Sequence, residues 1–344
     1  MFKLYLGLTY FLIFELLLLA IGILVIIFYH KIIWERKRKR DQAVKTLTSN
    51  IISHIYSNNK KFTLNLPIEL QEPNLLLQVV ESINKKILDS YWIQIRNSIV
   101  KKYLISNARI WTKSNFWNRR SFAARTFSIH CETIDEDSII YLLQDSIQLI
   151  RIQAVKAAIK FKSKKTINEL INQMSIEKRF SKYIYRDALI KGDEKIYQFI
   201  KDRLLTEKNE KIIMVCLDLL TTQIDTNVFS VAKKHIHSDN LELKLTAIRA
   251  IANYPTYESE NILYSIYNDK DWQARAIVAK SLAIWHSTDS IPVLEKLLFD
   301  DKWWVKLNAG LTLSKIGEAG KKILRAQSKD SKAYVVAKYV LSLG

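Results

Sequence analysis

The chain has 344 residues, of which 49% are hydrophobic and 25% charged, so wholesale disorder is excluded. Its 7 glycines and 4 prolines are too few for a β-rich fold, which needs frequent turn residues, and they favour long helices. A net charge of +19 favours contact with anionic lipid, acidic proteins or nucleic acid. Cys131 and Cys216 match no metal-ligand spacing, and we expect buried thiols in a reducing compartment.

The N-terminus carries an almost unbroken apolar stretch over residues 4–29. At about 1.5 Å per residue, a helix of this length crosses a hydrocarbon core of about 30 Å. We predict an uncleaved transmembrane signal-anchor over residues 1–30. The competing interpretation is a cleaved signal peptide, whose shorter apolar core would follow its positive charges and precede small residues. Here the basic run follows the span instead, at residues 31–40.

The distribution of basic residues around this span predicts its orientation. Only Lys3 precedes it, whereas six Lys and Arg residues follow within ten positions. The positive-inside rule then predicts a single-pass protein of the inner (plasma) membrane, with its N-terminus outside and its C-terminal domain in the cytoplasm. We expect anionic lipid headgroups to bind the basic run, at about 1 kcal/mol per residue. The residues concerned are Arg36, Lys37, Arg38, Lys39 and Arg40.

Glu15 lies near the middle of the apolar stretch. A carboxylate at that depth costs about 2.5–3.5 kcal/mol on insertion scales, so it usually faces another protein or a wet cavity. One interpretation is a contact with a helix of a membrane partner. The other is that the apolar neighbours tolerate a protonated carboxyl.

Residues 31–57 are predicted to form a basic juxtamembrane helix. A polar break with Pro67 and Pro73 follows it. Two helix-patterned stretches come next, at residues 74–88 and 90–106. Because residues 58–112 keep no clear repeat, we expect them to form an atypical helical cap, as the terminal units of stacked repeats do.

A short sequence motif with a helical pattern, which we call the phrase, recurs at a constant spacing through the rest of the chain. The spacing is the number of residues from Ala123 to Ala154. A fixed period of this size indicates stacked repeats, in which one unit cannot bury its apolar face alone. The basic residue three places before the aligned position is Arg120, Arg151, Lys182, Lys244, Arg275 or Lys306, with Ile213 as the exception. The aligned core positions are Ala123, Ala154, Tyr185, Cys216, Ala247, Val278 and Ala309.

The phrase is clearest where Asp269, Trp272 and Arg275 are followed one period later by Asp300, Trp303 and Lys306. It resembles HEAT repeats, especially the short bacterial variety. The resemblance implies an all-α, right-handed α-solenoid of about seven helix pairs over residues 113–344, preceded by one transmembrane helix. The resemblance to HEAT repeats is weaker at residues 170–200 and 205–235. It also implies that Asp145/Arg151, Asp269/Arg275 and Asp300/Lys306 are structural ladder pairs.

The position two residues beyond the aligned one carries a column of charges. Two interpretations stay open: a solvated face, or a binding groove with basic ends and an acidic middle. Trp117, Trp272 and Trp303 keep the repeat register and are expected to pack under the second helices. Trp304 falls outside it and is the better candidate for an exposed contact. The candidate groove residues are Arg125, Lys156, Asp187, Asp218, Arg249, Lys280 and Trp304.

The chain has no Gly-rich phosphate loop, H-E-x-x-H, C-x-x-C or G-x-S-x-G motif. We therefore expect no cofactor, no metal and no enzyme activity. The resemblance implies a membrane-anchored cytoplasmic scaffold for a membrane-associated protein partner, such as a glycosyltransferase or a signalling system. The alternative is a nucleic-acid-binding protein or a HEAT-like DNA glycosylase. Nucleic acid fits the membrane anchor poorly, and Asp187 and Asp218 would place acid in its groove.

Overall fold

A computed structural model describes residues 2–56, 72–87, 89–177 and 179–343, although not the side chains of residues 2–13 and Arg179. The chain forms two compact units, Met1–Asp135 and Glu136–Gly344. Within the described ranges every regular element is helical and no strand occurs. The expected all-α class is therefore confirmed.

The first unit begins with one long helix, α1 (Phe2–Tyr56). It runs without a break through the predicted anchor and the predicted juxtamembrane helix. Leu47 and Ile51 near its C-terminal end are buried, and α1 packs there against α2 (Pro73–Asn84). The predicted polar break, with the first part of the predicted cap, lies at residues 57–71, outside the described residues.

Three more helices complete the first unit. The stretch predicted at 90–106 is α3 (Ser90–Ile99), a π-helical turn (Val100–Leu104) and α4 (Ile105–Trp111) in direct succession. After a short turn, α5 (Trp117–Ile129) packs against α4. Trp92, Phe122 and Phe127 are fully buried in this unit. The structure thus divides the chain after α5, whereas the repeat register begins with Ala123 in α5.

The second unit is a succession of helix pairs whose second helices carry the aligned positions. Each second helix packs against the second helix of the next pair. The described pairs are α6 (Glu136–Leu143) with α7 (Gln148–Phe161), α8 (Lys164–Ile176) with α9 (Arg179–Ile190), α10 (Glu194–Thr206) with α11 (Glu210–Leu220), α12 (Thr226–His235) with α13 (Leu241–Ala252), α14 (Tyr257–Ser265) with α15 (Trp272–Ser281), α16 (Ile291–Leu298) with α17 (Trp303–Ile316), and α18 (Glu318–Arg325) with α19 (Tyr334–Leu341).

The register predicted from the sequence is the register of the core. All seven aligned residues, from Ala123 to Ala309, have no solvent exposure. One further period beyond Ala309 leads to Val340 in α19, which is 2% exposed. The sequence pattern missed this last unit because Ala337 stands where most other units carry a base. Gly310 lets α19 approach α17, since a Cβ there would lie 3.2 Å from Val340 Cγ2.

The basic residue of the phrase joins adjacent helix pairs, but its partners differ from those expected. The Arg275 guanidinium donates to Asp300 Oδ2 at 2.6 Å and Oδ1 at 3.0 Å, in the next pair. Lys244 Nζ likewise lies 3.1 Å from Asp269 Oδ1. The expected side-chain pairs Asp269/Arg275 and Asp300/Lys306 are not formed, because these two carboxylates bind the base of the preceding helix pair. Arg275 does contact Asp269, but through the backbone carbonyl of Asp269, at 2.8 Å.

The aspartates of the phrase also shape the turn before each second helix. The carboxylates of Asp145, Asp269 and Asp300 each accept a hydrogen bond from the backbone N–H two residues later, at 2.8–2.9 Å. This is an Asx turn, which a short acidic side chain makes readily. Each Asp therefore sets the entry to its own helix, and Asp269 and Asp300 also receive the base of the preceding pair.

Two of the three tryptophans that keep the register do not pack beneath the second helices as expected, whereas Trp272 is half-buried. Trp117 is 54% exposed and Trp303 is 44% exposed, and each is the first residue of its helix.

Candidate functional site

A groove of about 830 Å³ lies across three successive second helices, α9, α11 and α13. We call it the second-helix groove. Its walls come from the C-terminal end of α8, from these three second helices and from the cap of α13. Its lining residues are Ser175, Glu177, Lys182, Tyr183, Arg186, Lys211, Met214, Asp218, Asn240, Glu242, Leu245, Thr246 and Arg249.

The apolar part of the groove follows the repeat register. Tyr183, Met214 and Leu245 are each one period apart, so each occupies the same place on its own helix. Tyr183 is 58% exposed and Met214 is 9% exposed. Leu245 is half-buried, so the apolar surface of the row is open at Tyr183 and nearly closed at Met214. Because neighbouring helix axes lie about 8–10 Å apart, this row, which we call the apolar strip, extends over about 20 Å.

Two carboxylates in the groove are neutralised by arginines. Arg186 Nε donates to Asp218 Oδ2 at 2.8 Å. Glu177, whose side chain is 3% exposed, accepts hydrogen bonds from Arg151 at 2.6 Å and from the Ser181 hydroxyl at 2.7 Å. Burial alone would raise the pKa of Glu177, but these hydrogen bonds outweigh it and hold that pKa below its ordinary value.

Three bases in the groove have no such partner. Lys182, Lys211 and Arg249 lie beyond ion-pair distance of every carboxylate in the part of the chain that the structure describes. Glu242, which is exposed, is the remaining acidic residue of the lining. The groove therefore offers more unpaired positive than negative charge.

The free base Lys182 follows from an interruption of the ladder. Lys182 occupies the register position of Arg151 and Arg275, and Glu207 stands 25 residues later, where Arg275 finds Asp300. Glu207 is already bound by Arg203 of the preceding helix, at 2.7 Å, and by two backbone N–H groups. In the next unit Ile213 replaces the base altogether.

The predicted charge column is only partly brought together. Asp218 and Arg249 line the second-helix groove, while Lys156 and Lys280 are exposed at the same position of α7 and α15. Asp187 forms an exposed ion pair with Lys191 at 2.8 Å. Since Arg186 and Lys191 neutralise both aspartates, the middle of the column is not an acidic surface. Binding at these residues stays a prediction.

The two remaining candidates of the column lie elsewhere. Arg125 belongs to the first unit, where its guanidinium makes a two-pronged ion pair with Glu81 of α2. Trp304 is 59% exposed in the first turn of α17, and it does not line the second-helix groove. Its expected exposure is found, while a contact with a partner remains a prediction.

The candidates on α1 are all exposed. Glu15 lies among apolar side chains, none of which is buried. In the basic run, the Arg38 guanidinium carbon lies 5.6 Å from the centre of the Trp34 ring, and Arg40 pairs with Glu72 at 3.1 Å. Arg40 is thus paired with a carboxylate of the first unit, although its side chain is about half exposed to solvent. Arg36, Lys37 and Lys39 are exposed without an ion pair among the described residues.

The cysteines match the expectation in one case. Cys216 is completely buried, and burial raises the pKa of its thiol to about 12, so it stays a protonated core residue. Cys131 is only half-buried. Within the described ranges, no three His, Cys, Asp or Glu side chains are grouped so that they could hold a metal ion.

Four residues of the groove were not predicted as groove residues from the sequence: Tyr183, Met214, Lys182 and Lys211. The signal was present, since Tyr183, Met214 and Leu245 repeat with the period of the phrase, one turn before the charge column. An alternation of apolar and charged positions on one helix face does not by itself distinguish a covered face from an open one.

A family model described as HEAT repeats matches residues 230–298 and 260–344. The family model thus matches the C-terminal third of the chain, and the helix pairs before it repeat the same arrangement. The fold is a HEAT-like α-solenoid. No curated protein sequence matches the chain.

Among solved structures, the chain is similar to an engineered protein at 16% identity and a TM-score of 0.35, covering 79% of this chain and 85% of that one. It is also similar to the complex of CpcE and CpcF of phycocyanin lyase from Nostoc sp. PCC7120, at 16% identity and a TM-score of 0.31. That match covers 69% of this chain and 93% of the other. A second engineered protein matches at 15% identity and a TM-score of 0.24, over 66% of this chain and 98% of that one.

Proposed function

We propose that this protein is a membrane-anchored scaffold whose helix pairs hold a protein partner at the cytoplasmic face of the inner membrane. The observation that carries the proposal is the second-helix groove. Its apolar strip and three unpaired bases are left open by helices whose other faces are packed. A HEAT-repeat array presents such surfaces because stacking buries only the faces between units.

The anchor is supported by the surface of α1. From Phe14 to Tyr29 its large apolar side chains are 49–66% exposed, and the mean hydropathy of its most apolar window is 2.6. A helix that is apolar on all sides and uncovered is suited to lipid. A cleaved signal sequence meets the same length and composition test. Against cleavage, the same helix continues to Leu47 and Ile51, which pack against α2.

Membrane fractionation tests the anchor. The full chain should stay with the membrane through alkaline carbonate extraction, and its C-terminus should resist protease added outside intact cells. Release by carbonate, or a chain that has lost its first residues, would show that the apolar stretch is a removed signal.

Purification tests the partner. The full chain, solubilised in mild detergent, should recover a stoichiometric membrane-associated protein, for which a glycosyltransferase or a signalling protein is our candidate. A Glu15→Leu variant separates the two interpretations of Glu15, because it loses the partner only if that carboxyl contacts a partner helix. Recovery of no partner would contradict the scaffold.

Unpaired bases also suit nucleic acid, so the alternative is tested directly. Binding of the full chain to a DNA oligonucleotide should be weak at low salt if the scaffold proposal is right. A nucleic-acid-binding protein would bind tightly there and lose affinity steeply with added salt, because bound counterions are released.

A further inference from the structure

We infer that the second-helix groove binds an acidic segment of the partner protein in an extended conformation, with one aromatic or aliphatic side chain between its carboxylates. The inference rests on the scaffold function proposed above and names what the groove recognises. It follows from the groove's length, its apolar strip and the position of its free bases.

The dimensions of the groove favour an extended segment. Three second helices at about 8–10 Å apart give a length of about 20 Å. An extended chain covers that distance with about six residues at roughly 3.3 Å each. A short segment can therefore contact α9, α11 and α13 at once.

The apolar strip supplies the anchoring contact. Tyr183 is 58% exposed, and Met214 and Leu245 lie at the same register position on the two following second helices. The open Tyr183 ring offers the main contact surface, and the half-buried Leu245 adds to it at the other end of the strip. One aromatic or leucine side chain of the partner, laid along this strip, removes apolar surface of both molecules from water.

The charges determine which segment fits. Lys182, Lys211 and Arg249 come one from each of the three helices, so a positive charge stands at every step along the strip. The acids that could balance them are already engaged, Glu177 by Arg151 and Asp218 by Arg186. A basic segment would meet three unpaired bases and only one free carboxylate, Glu242. An acidic segment pairs with all three bases.

The test is an unbiased peptide selection on the full chain in lipid nanodiscs. A random library of 12-residue peptides is enriched against the wild type. The groove variant carries Lys182→Glu, Lys211→Glu and Arg249→Glu. The control variant carries Lys234→Glu, Lys270→Glu and Lys322→Glu, which changes the net charge equally at bases outside the groove. Circular dichroism melting confirms that both variants fold.

The expected result is enrichment of peptides with several Asp or Glu residues around one aromatic or aliphatic residue. Their affinity should fall at least tenfold in the groove variant and stay within twofold in the control variant. A Tyr183→Ala variant should keep the acidic preference and lose the aromatic one. No enrichment, enrichment of neutral or basic peptides, an equal loss in both variants, or displacement by a DNA oligonucleotide would each overturn the inference. If the groove variant fails to fold, the single Arg249→Glu variant with Lys234→Glu as its control replaces the pair.

The failure of this inference is distinguishable from that of the scaffold function. A membrane partner that copurifies equally with the wild type and the groove variant leaves the scaffold intact and removes the groove from it. If acidic peptides bind the groove but no membrane partner is recovered, the groove's preference for acidic segments stands and the scaffold function fails.

Discussion

Two regions of the second unit use the same repeat in different ways. In α13 and α15 the base of the phrase meets the acid of the next helix pair: Lys244 binds Asp269 and Arg275 binds Asp300. At α9 and α11 that ladder is interrupted, because Arg203 engages Glu207 and Ile213 replaces a base. The regular region thus uses its charges to join its helix pairs. The irregular region leaves Lys182 free, and the second-helix groove begins there and extends to α13.

The interruption is also visible in the core. The aligned position is Ala or Val in the regular region but Tyr185 and Cys216 in the irregular one. Tyr185 is fully buried and its hydroxyl donates to Glu177 at 3.4 Å. Burial and the nearby Glu177 charge raise the pKa of this phenol above its ordinary value. A large side chain therefore fills the space between helices that small residues fill elsewhere.

The largest effect on stability is expected when Tyr185 is replaced by Ala, the residue found most often at this register position. Tyr185→Ala should destabilise the second unit by about 4 kcal/mol, because it leaves a cavity and removes a partner of Glu177. Tyr183→Ala, two residues away and exposed, should change stability by less than about 0.5 kcal/mol. Hydrogen exchange of the second unit measures both. Equal losses of stability in the two variants would contradict the role of Tyr185 in packing the core.

A smaller loss is expected from breaking the ladder in the regular region. Asp300→Ala leaves the Arg275 guanidinium, whose side chain is 17% exposed, without its carboxylate. The expected destabilisation is about 3 kcal/mol, since an uncompensated charge stays partly buried. Asp301→Ala is the matched control, because Asp301 is 88% exposed and its ion pair with Lys332 spans 3.7 Å. Chemical denaturation of the full chain measures the free energy of unfolding of both variants. An equal loss in the two would contradict a structural role for the ladder.

Acid should weaken the same ladder. Burial alone would raise the pKa of Asp300, but hydrogen bonds from Arg275 and the Lys302 N–H hold it below its ordinary value of 3.8. A depressed pKa means that the stabilisation is complete above about pH 4 and is lost as the pH falls through the folded-state value. Thermal melting at pH 6 and pH 3 should show a drop that is smaller in Asp300→Asn. An identical drop in that variant would remove Asp300 from the acid response.

The smallest effect is expected at the exposed pair of the irregular region. Asp187 and Lys191 have side chains that are 64% and 72% exposed. Solvent screens such a pair, so Asp187→Ala should change stability by less than about 0.5 kcal/mol. Melting curves at low and high salt measure it. A loss of more than about 1 kcal/mol would show that the column contributes to cohesion.

Much of this architecture was predictable because it is local. The constant spacing of the phrase identified the buried residue of each second helix from Ala123 to Ala309, since a helix that repeats its apolar positions must bury the same face in every unit. The missed last unit shows the limit, because Val340 keeps the register without the phrase around it.

The partners of the charges could not be predicted in the same way. Sequence spacing places Asp269 near Arg275, yet the Arg275 side chain extends to Asp300, and Lys244 takes the carboxylate of Asp269. The sequence by itself determined the repeat, its buried face and an apolar N-terminal helix, because periodicity and composition act along the chain. Only the tertiary structure decided which bases are satisfied by the next unit and which, like Lys182 and Arg249, remain open. That outcome depends on distances between residues that are far apart in the chain and belong to different helix pairs.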